Sequence, residues 1–132
     1  MFLNYNLFIS HSWRYAQQYN TLISWLDASS LYYKNYSISI EKSFDDMSNR
    51  KLKEKLTEQI RHASVVIIIG GMYAAYSDWI DYEIDEAVRM GKKIIGIYPW
   101  GQDRMPAKIQ QHADKIIRWQ SDSLIRAIRE LG

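Results

Sequence analysis

Ser64–Ile69 reads SVVIII, a continuous β-branched run that ends on the glycine pair Gly70-Gly71. A strand with one wet face alternates apolar and polar residues. This one does not, so it suits a central strand of a parallel sheet covered on both faces. Few folds other than an α/β layer arrangement can accept such a strand. The spacing after it predicts a helix from about Ser77 to Met90, which sets the helix N-terminus above the sheet's carboxyl edge. Ligands of open α/β sheets bind at that edge. Trp79 and Glu83 stand four residues apart and so share one side of that helix. A flat aromatic and a carboxylate beside a helix end suit a charged, sugar-bearing ligand.

The remaining chain alternates in the same way. Tyr5–Ser10 reads as a first strand, and Tyr15, Tyr19, Leu22, Ile23 and Leu26 stripe a first helix. Tyr36–Glu41 (YSISIE) alternates strictly and predicts an edge strand. Leu52, Leu56, Ile60 and Ala63 stripe a second helix. Ile80, Ile84, Ala87 and Val88 give the third helix its inward face, and Gly91 stands where a C-cap glycine belongs. Lys93–Tyr98 is a fourth strand stopped by Pro99, Pro106–Ala113 a short helix, and Lys115–Trp119 a fifth strand. Leu124, Ile125, Ile128 and Leu131 stripe a last helix capped by Ser121 or Asp122. Five strands alternating with helices predict one domain over residues 1–132. Its fold class is α/β, a doubly wound, flavodoxin-like five-stranded parallel sheet in the order 2-1-3-4-5. The switch point of that order lies between strands one and three. It brings the loops Ser10–Arg14 and Gly70–Asp78 together.

Composition narrows the function classes. Seventeen basic and fifteen acidic residues leave a net charge of only +2, spread along the chain, which argues against nucleic acid. There is no cysteine, so thiolate chemistry and disulfides are excluded. The start, MFLNYNLFIS, lacks the basic n-region of a signal peptide, and no apolar run approaches a membrane span. The expectation is a cytoplasmic protein that does not use a membrane. His11, His62 and His112 are too dispersed for a zinc motif, and neither GxGxxG nor GxxxxGK[ST] occurs. A phospho-receiver needs acidic residues after strand one, where this chain has Ser-His-Ser.

Within the switch-point loops, Ser10, His11, Ser12, Trp13 and Arg14 pack hydroxyls, an imidazole, an indole and a guanidinium into five residues. That is either a binding loop or a helix cap supplied by Ser12. Gly70 and Gly71 either let backbone approach a phosphate or simply turn the chain. Spacing alone leaves Glu83 between a solvated helix glutamate and a desolvated one able to stabilise a developing cation. Trp79 stands between core packing and stacking on a ring.

FISHSW at Phe8–Trp13, VVIIIGG at the end of the third strand, and Ser77-x-Trp79-x-x-x-Glu83 together resemble a TIR (Toll/interleukin-1 receptor) domain. The likeness is stronger to the TIR-like proteins of the Thoeris antiphage defence system and spans nearly the whole chain. It implies that Glu83 is catalytic and that the enzyme cleaves the nicotinamide–ribose bond of NAD, making a cyclic or modified ADP-ribose. It also implies that Ser10, His11, Ser12, Trp13, Gly70, Ser77 and Trp79 line the substrate cleft. NAD is then a substrate and no cofactor or metal is required, because the departing pyridinium already carries its charge. A bare catalytic domain would act through a diffusible product on a separate nucleotide-sensing effector, and self-association into a homo-oligomer is expected. Receptor and adaptor TIR domains carry a proline-glycine loop after strand two. Glu41–Arg50 has neither residue, and the sequence assigns no role to Phe44 and Asp45 within it. The rival readings are a non-enzymatic TIR-like interaction module and a nucleoside deoxyribosyltransferase-like enzyme.

Overall fold

A computed structural model of the chain describes residues 4–10, 16–38, 49–99, 101 and 104–132, with backbone alone for 72–76. In chain order the elements are β1 (Asn4–Ser10), α1 (Ala16–Ala28), β2 (Tyr32–Asn35), α2 (Asn49–His62), β3 (Val65–Ile69), a single 3-10 turn (Gly70–Met72), α3 (Tyr73–Arg89), β4 (Lys93–Ile97), α4 (Ala107–His112), β5 (Lys115–Ile117) and α5 (Ser121–Leu131). All pairings are parallel, and the sheet order is β2-β1-β3-β4-β5. This is the doubly wound, flavodoxin-like arrangement that the alternation predicts.

The centre of the sheet is dry on both faces. All five residues of β3 are buried, as are Leu7, Phe8 and Ile9 of β1 and Ile94, Ile95 and Ile97 of β4. Each such side chain taken from water contributes on the order of 1.5–3 kcal/mol. Helix α1 packs beside α5, while α2, α3 and α4 pack in series. Leu22 and Leu26 anchor α1; Leu52, Leu56 and Ile60 anchor α2; Leu124, Ala127 and Ile128 anchor α5. Gly91 adopts φ +71 and ends α3: Lys92 N–H donates to Ala87 O at 2.8 Å and Gly91 N–H to Val88 O at 3.1 Å. The paired bonds satisfy carbonyls that the helix would otherwise leave open.

Several boundaries differ from the sequence reading. The edge strand is Tyr32–Asn35, not Tyr36–Glu41, and residues 39–41 lie outside the described set. The alternation of YSIS misleads because Ser37 joins the sheet through its side chain: Ser37 Oγ accepts from Ile9 N–H at 2.8 Å. Helix α3 starts at Tyr73, four residues before Ser77, continuing straight out of the 3-10 turn. Val88 is 48% exposed rather than inward, because the stripe of Ile80, Ile84 and Ala87 has rotated past it by that turn. β4 and β5 end at Ile97 and Ile117, short of Tyr98 and Trp119. Gln120, not Ser121 or Asp122, occupies the cap of α5, and it makes no side-chain cap bond.

Candidate active site

Ser10 closes β1 and pairs with Ile68 of β3. On its other flank β2 runs level with β1 from Asn4 to Leu7. Beyond that, Tyr36 N–H donates to Leu7 O at 2.8 Å and Ser37 Oγ takes the next β1 amide. Asn35 Oδ1 in turn accepts from Ser37 N–H at 3.0 Å. Ser10 stands at the point where strand order reverses. That is where doubly wound folds hold ligands.

Glu83 reaches this point from α3. It lies on the stripe of Ile80, Ile84 and Ala87 and, like Ser10, is 0% exposed. The helix starts earlier than the sequence suggests, so Glu83 is ten residues past Tyr73, about 15 Å along the axis. The positive end of the helix is thus too far away to charge it, since that effect fades within a turn. Burial dominates instead and pushes the Glu83 carboxyl up to about 8, while the facing Ser10 hydroxyl pulls it down a little. The hydroxyl acts on the carboxyl without reaching full hydrogen-bond geometry: Ser10 Oγ, Glu83 Oε1 and Glu83 Oε2 are all buried and unpartnered. Of the two readings open to Glu83, the desolvated one holds. Three orphaned polar atoms facing each other inside an apolar shell are costly, since one buried unsatisfied group costs about 1–3 kcal/mol. A ligand offering hydroxyl donors would satisfy them, and because no carboxylate oxygen touches solvent, it must displace protein atoms to arrive.

Three residues on, the same helix carries a contrasting carboxylate. Burial works to raise Glu86 too, but hydrogen bonds from Arg89, Tyr82 and Thr57 bring it below its ordinary value. Arg89 Nε lies 2.5 Å from Glu86 Oε2, and Thr57 Oγ1 donates to Glu86 Oε1 at 3.1 Å. Thr57 Oγ1 in turn accepts from the Tyr82 hydroxyl at 2.5 Å, and Lys53 O lies 3.2 Å from the same hydroxyl. This polar seam ties α3 to α2.

The other residues singled out in the sequence are spread more widely. Trp79 is half-buried against the core and lines a cleft of about 490 Å³ between α2 and α3, with Asn49, Lys53 and Tyr82. Four residues of α3 separate it from Glu83 by only about 40° of helix rotation, yet that turn sends one side chain into the cleft and the other toward the sheet. Ser77, six residues from Glu83, lies about 120° away around the helix and does not join it. At Gly70 a Cβ would meet Met105 Sδ at 2.8 Å, and its φ is not positive, so close packing against that thioether accounts for a glycine there. His11, Ser12, Trp13 and the Phe44-Asp45 loop lie outside the described residues. A cleft of about 570 Å³ sits elsewhere, between α1 and α5, lined by Trp25, Arg126 and Arg129 among others. It contains none of the residues predicted for catalysis. Among the described residues, no group of His, Asp and Glu is arranged to hold a metal, and no helix is long and apolar enough to cross a membrane.

Met105 and Tyr82 were missed in the sequence. Tyr82 adjoins Glu83 and faces α2 at helical spacing from Trp79, a legible signal. Met105 belongs to no periodic stripe and gave none.

The sequence profile of the Thoeris protein ThsB TIR-like domain matches residues 8–104. No curated protein matches the chain at a significant level. Among solved structures, the chain resembles the CMP N-glycosidase BcmB of Clostridium botulinum, with TM-score 0.57 and 17% identity over 95% of this chain and 98% of that one. At that identity the likeness is one of fold. A diflavin flavoprotein A3 from Nostoc sp. aligns with TM-score 0.49 and 9% identity, over 99% of this chain and 89% of that one.

Proposed function

The chain belongs to the TIR-like family of Thoeris ThsB proteins, which gives it a part in antiphage defence, and from that premise we propose that it cleaves the nicotinamide–ribose bond of NAD. The observation that supports this most is the buried, unpartnered carboxyl of Glu83 facing the orphaned hydroxyl of Ser10 at the switch point of the sheet. In the proposed reaction the ribose hydroxyls donate to Glu83, and the carboxylate stabilises positive charge on the anomeric carbon as the C–N bond breaks. The bonding pair leaves with nicotinamide, which departs neutral. The apolar shell of Ile80, Ile84 and Ala87 holds water back, so a ring nitrogen or hydroxyl of the same ADP-ribose attacks the carbon first, giving a cyclic product. Ser10 positions the carboxylate, and the loop His11–Trp13 completes the substrate cleft in this proposal. The product diffuses to a separate effector, and a homo-oligomer is the proposed active form.

The test is incubation of the protein with NAD, with and without extract from phage-infected cells, followed by mass spectrometry. Release of nicotinamide together with an ADP-ribose isomer, absent with Glu83→Gln, is the expected result. Turnover that survives in folded Glu83→Gln would remove the assignment. A second reading keeps the carboxyl but changes the substrate: a nucleoside or nucleotide N-glycosidase, the reaction named for the C. botulinum protein that shares this fold. Release of free base from CMP or deoxynucleosides, without any from NAD, selects it.

A further inference from the structure

Among the described residues, no cation balances Glu83. Along α3, Asp81 and Asp85 are engaged by Lys108 of α4, and Glu86 by Arg89 and Thr57. On α2, Lys53 lies over the Tyr82 ring, 5.5 Å from its centroid. β3 offers only Val65, Val66, Ile67, Ile68 and Ile69, and Lys93 of β4 is exposed at the opposite end of its strand. β1 contributes the neutral hydroxyl of Ser10. Among the described residues no charged group acts on the carboxyl, no donor completes a bond to it, and no solvent reaches it.

A carboxylate in such a seat would be an uncompensated buried charge, which proteins avoid by keeping the proton. We infer that the Glu83–Ser10 pair rests as a neutral acid, selects a positively charged N-glycoside over an uncharged one, and releases one proton to solvent as that ligand binds. The inference rests on the NAD reading and specifies the charge its site demands. In the binding step the carboxyl O–H bond breaks and its proton passes to bulk water. The remaining carboxylate is then balanced by the ligand's pyridinium charge and accepts from Ser10 and the ligand hydroxyls. An uncharged dihydropyridine of the same shape supplies the hydroxyls but no charge, so it leaves the acid protonated. Below the carboxyl's value of about 8, affinity for the cation falls as protons compete for the same site. The slope is about tenfold per pH unit.

Carba-NAD, which keeps the pyridinium but cannot be cleaved, and its reduced form are the probes. Calorimetric titration of the full chain in buffers of different ionisation enthalpy counts the protons. At pH 7 carba-NAD should release close to one proton, with affinity rising up to about pH 8 and then level. The reduced form should release none and show no pH slope. Glu83→Gln should abolish the proton release that carba-NAD causes. Binding of carba-NAD that depends on Glu83 but releases no proton would overturn the inference and leave the NAD reading intact. A carbon-13 carboxyl signal of the unliganded protein titrating in the ordinary glutamate range would do the same. Failure of carba-NAD to bind would overturn both.

Discussion

Glu83 and Glu86 sit less than one turn apart on α3, both drawn out of water, and their carboxyls move in opposite directions. Glu86 lies in the seam between helices, where an arginine, a threonine and a tyrosine all turn donors toward it. Glu83 faces the sheet, where the strands present isoleucines and a single hydroxyl. The difference teaches that burial alone does not define a reactive group; the supply of donors does. A carboxylate whose bonds are complete is part of the scaffold. One whose bonds are missing is waiting for something.

Exchanging the amides is the most direct way to break this contrast. Glu83→Gln should lower NAD turnover by about 10²–10³-fold, the usual loss for one group that stabilises a transition state. Glu86→Gln should leave turnover within about threefold, because Glu86 is already bonded by Thr57 and Arg89 and serves the packing of α3 on α2. Equal losses in single-turnover assays of the two folded variants would erase the distinction.

Stability against pH sharpens it. Glu83 keeps its proton in the native state up to about 8, whereas the unfolded chain loses it near 4.5. Between those values the native state binds more protons, so this group's contribution falls as pH rises and levels above 8. The total is on the order of a few kcal/mol. Glu86 has the opposite sign: its contribution is present above the unfolded value and is lost as pH falls through the lowered native one. Urea unfolding at pH 5, 7 and 9 should show wild type gaining on Glu83→Gln toward acid and losing to it toward base. A constant gap across the three would contradict the neutral seat.

Thr57→Val removes a donor from Glu86 and a partner from Tyr82 without changing shape. It should cost about 1–2 kcal/mol by urea unfolding at pH 7. The smallest effect belongs to Arg89→Ala, since the Arg89 side chain is 60% exposed. Its loss should be under about 1 kcal/mol and should shrink further in high salt, which the same unfolding assay reads directly.

The strand order was legible because β1, β3 and β4 are apolar on both faces, a pattern that only a covered parallel sheet tolerates. The edge strand was not. Tyr32–Asn35 carries no alternation, while the serines of the following segment imitate a half-buried strand and bond by side chain instead. Ser10 and Glu83 were legible as neighbours, through the topology and the S-x-W-x-x-x-E spacing. The depth of Glu83 was not, because a helical wheel places it at the margin of an apolar stripe and the twist of the sheet beneath decides whether a margin is wet. Gly70 was read for its backbone freedom, and Met105, distant in sequence, supplies the packing reason.

The pairing of β1 with β3 rather than with its successor alone carries a consequence for the chain during its synthesis. Ser10 is made before its neighbour Ile68 and the facing Glu83, which follow some sixty to seventy residues later. Contacts that distant form only after the loops between them have closed. A stalled or truncated product ending before α3 therefore contains half of each contact and none of the pair.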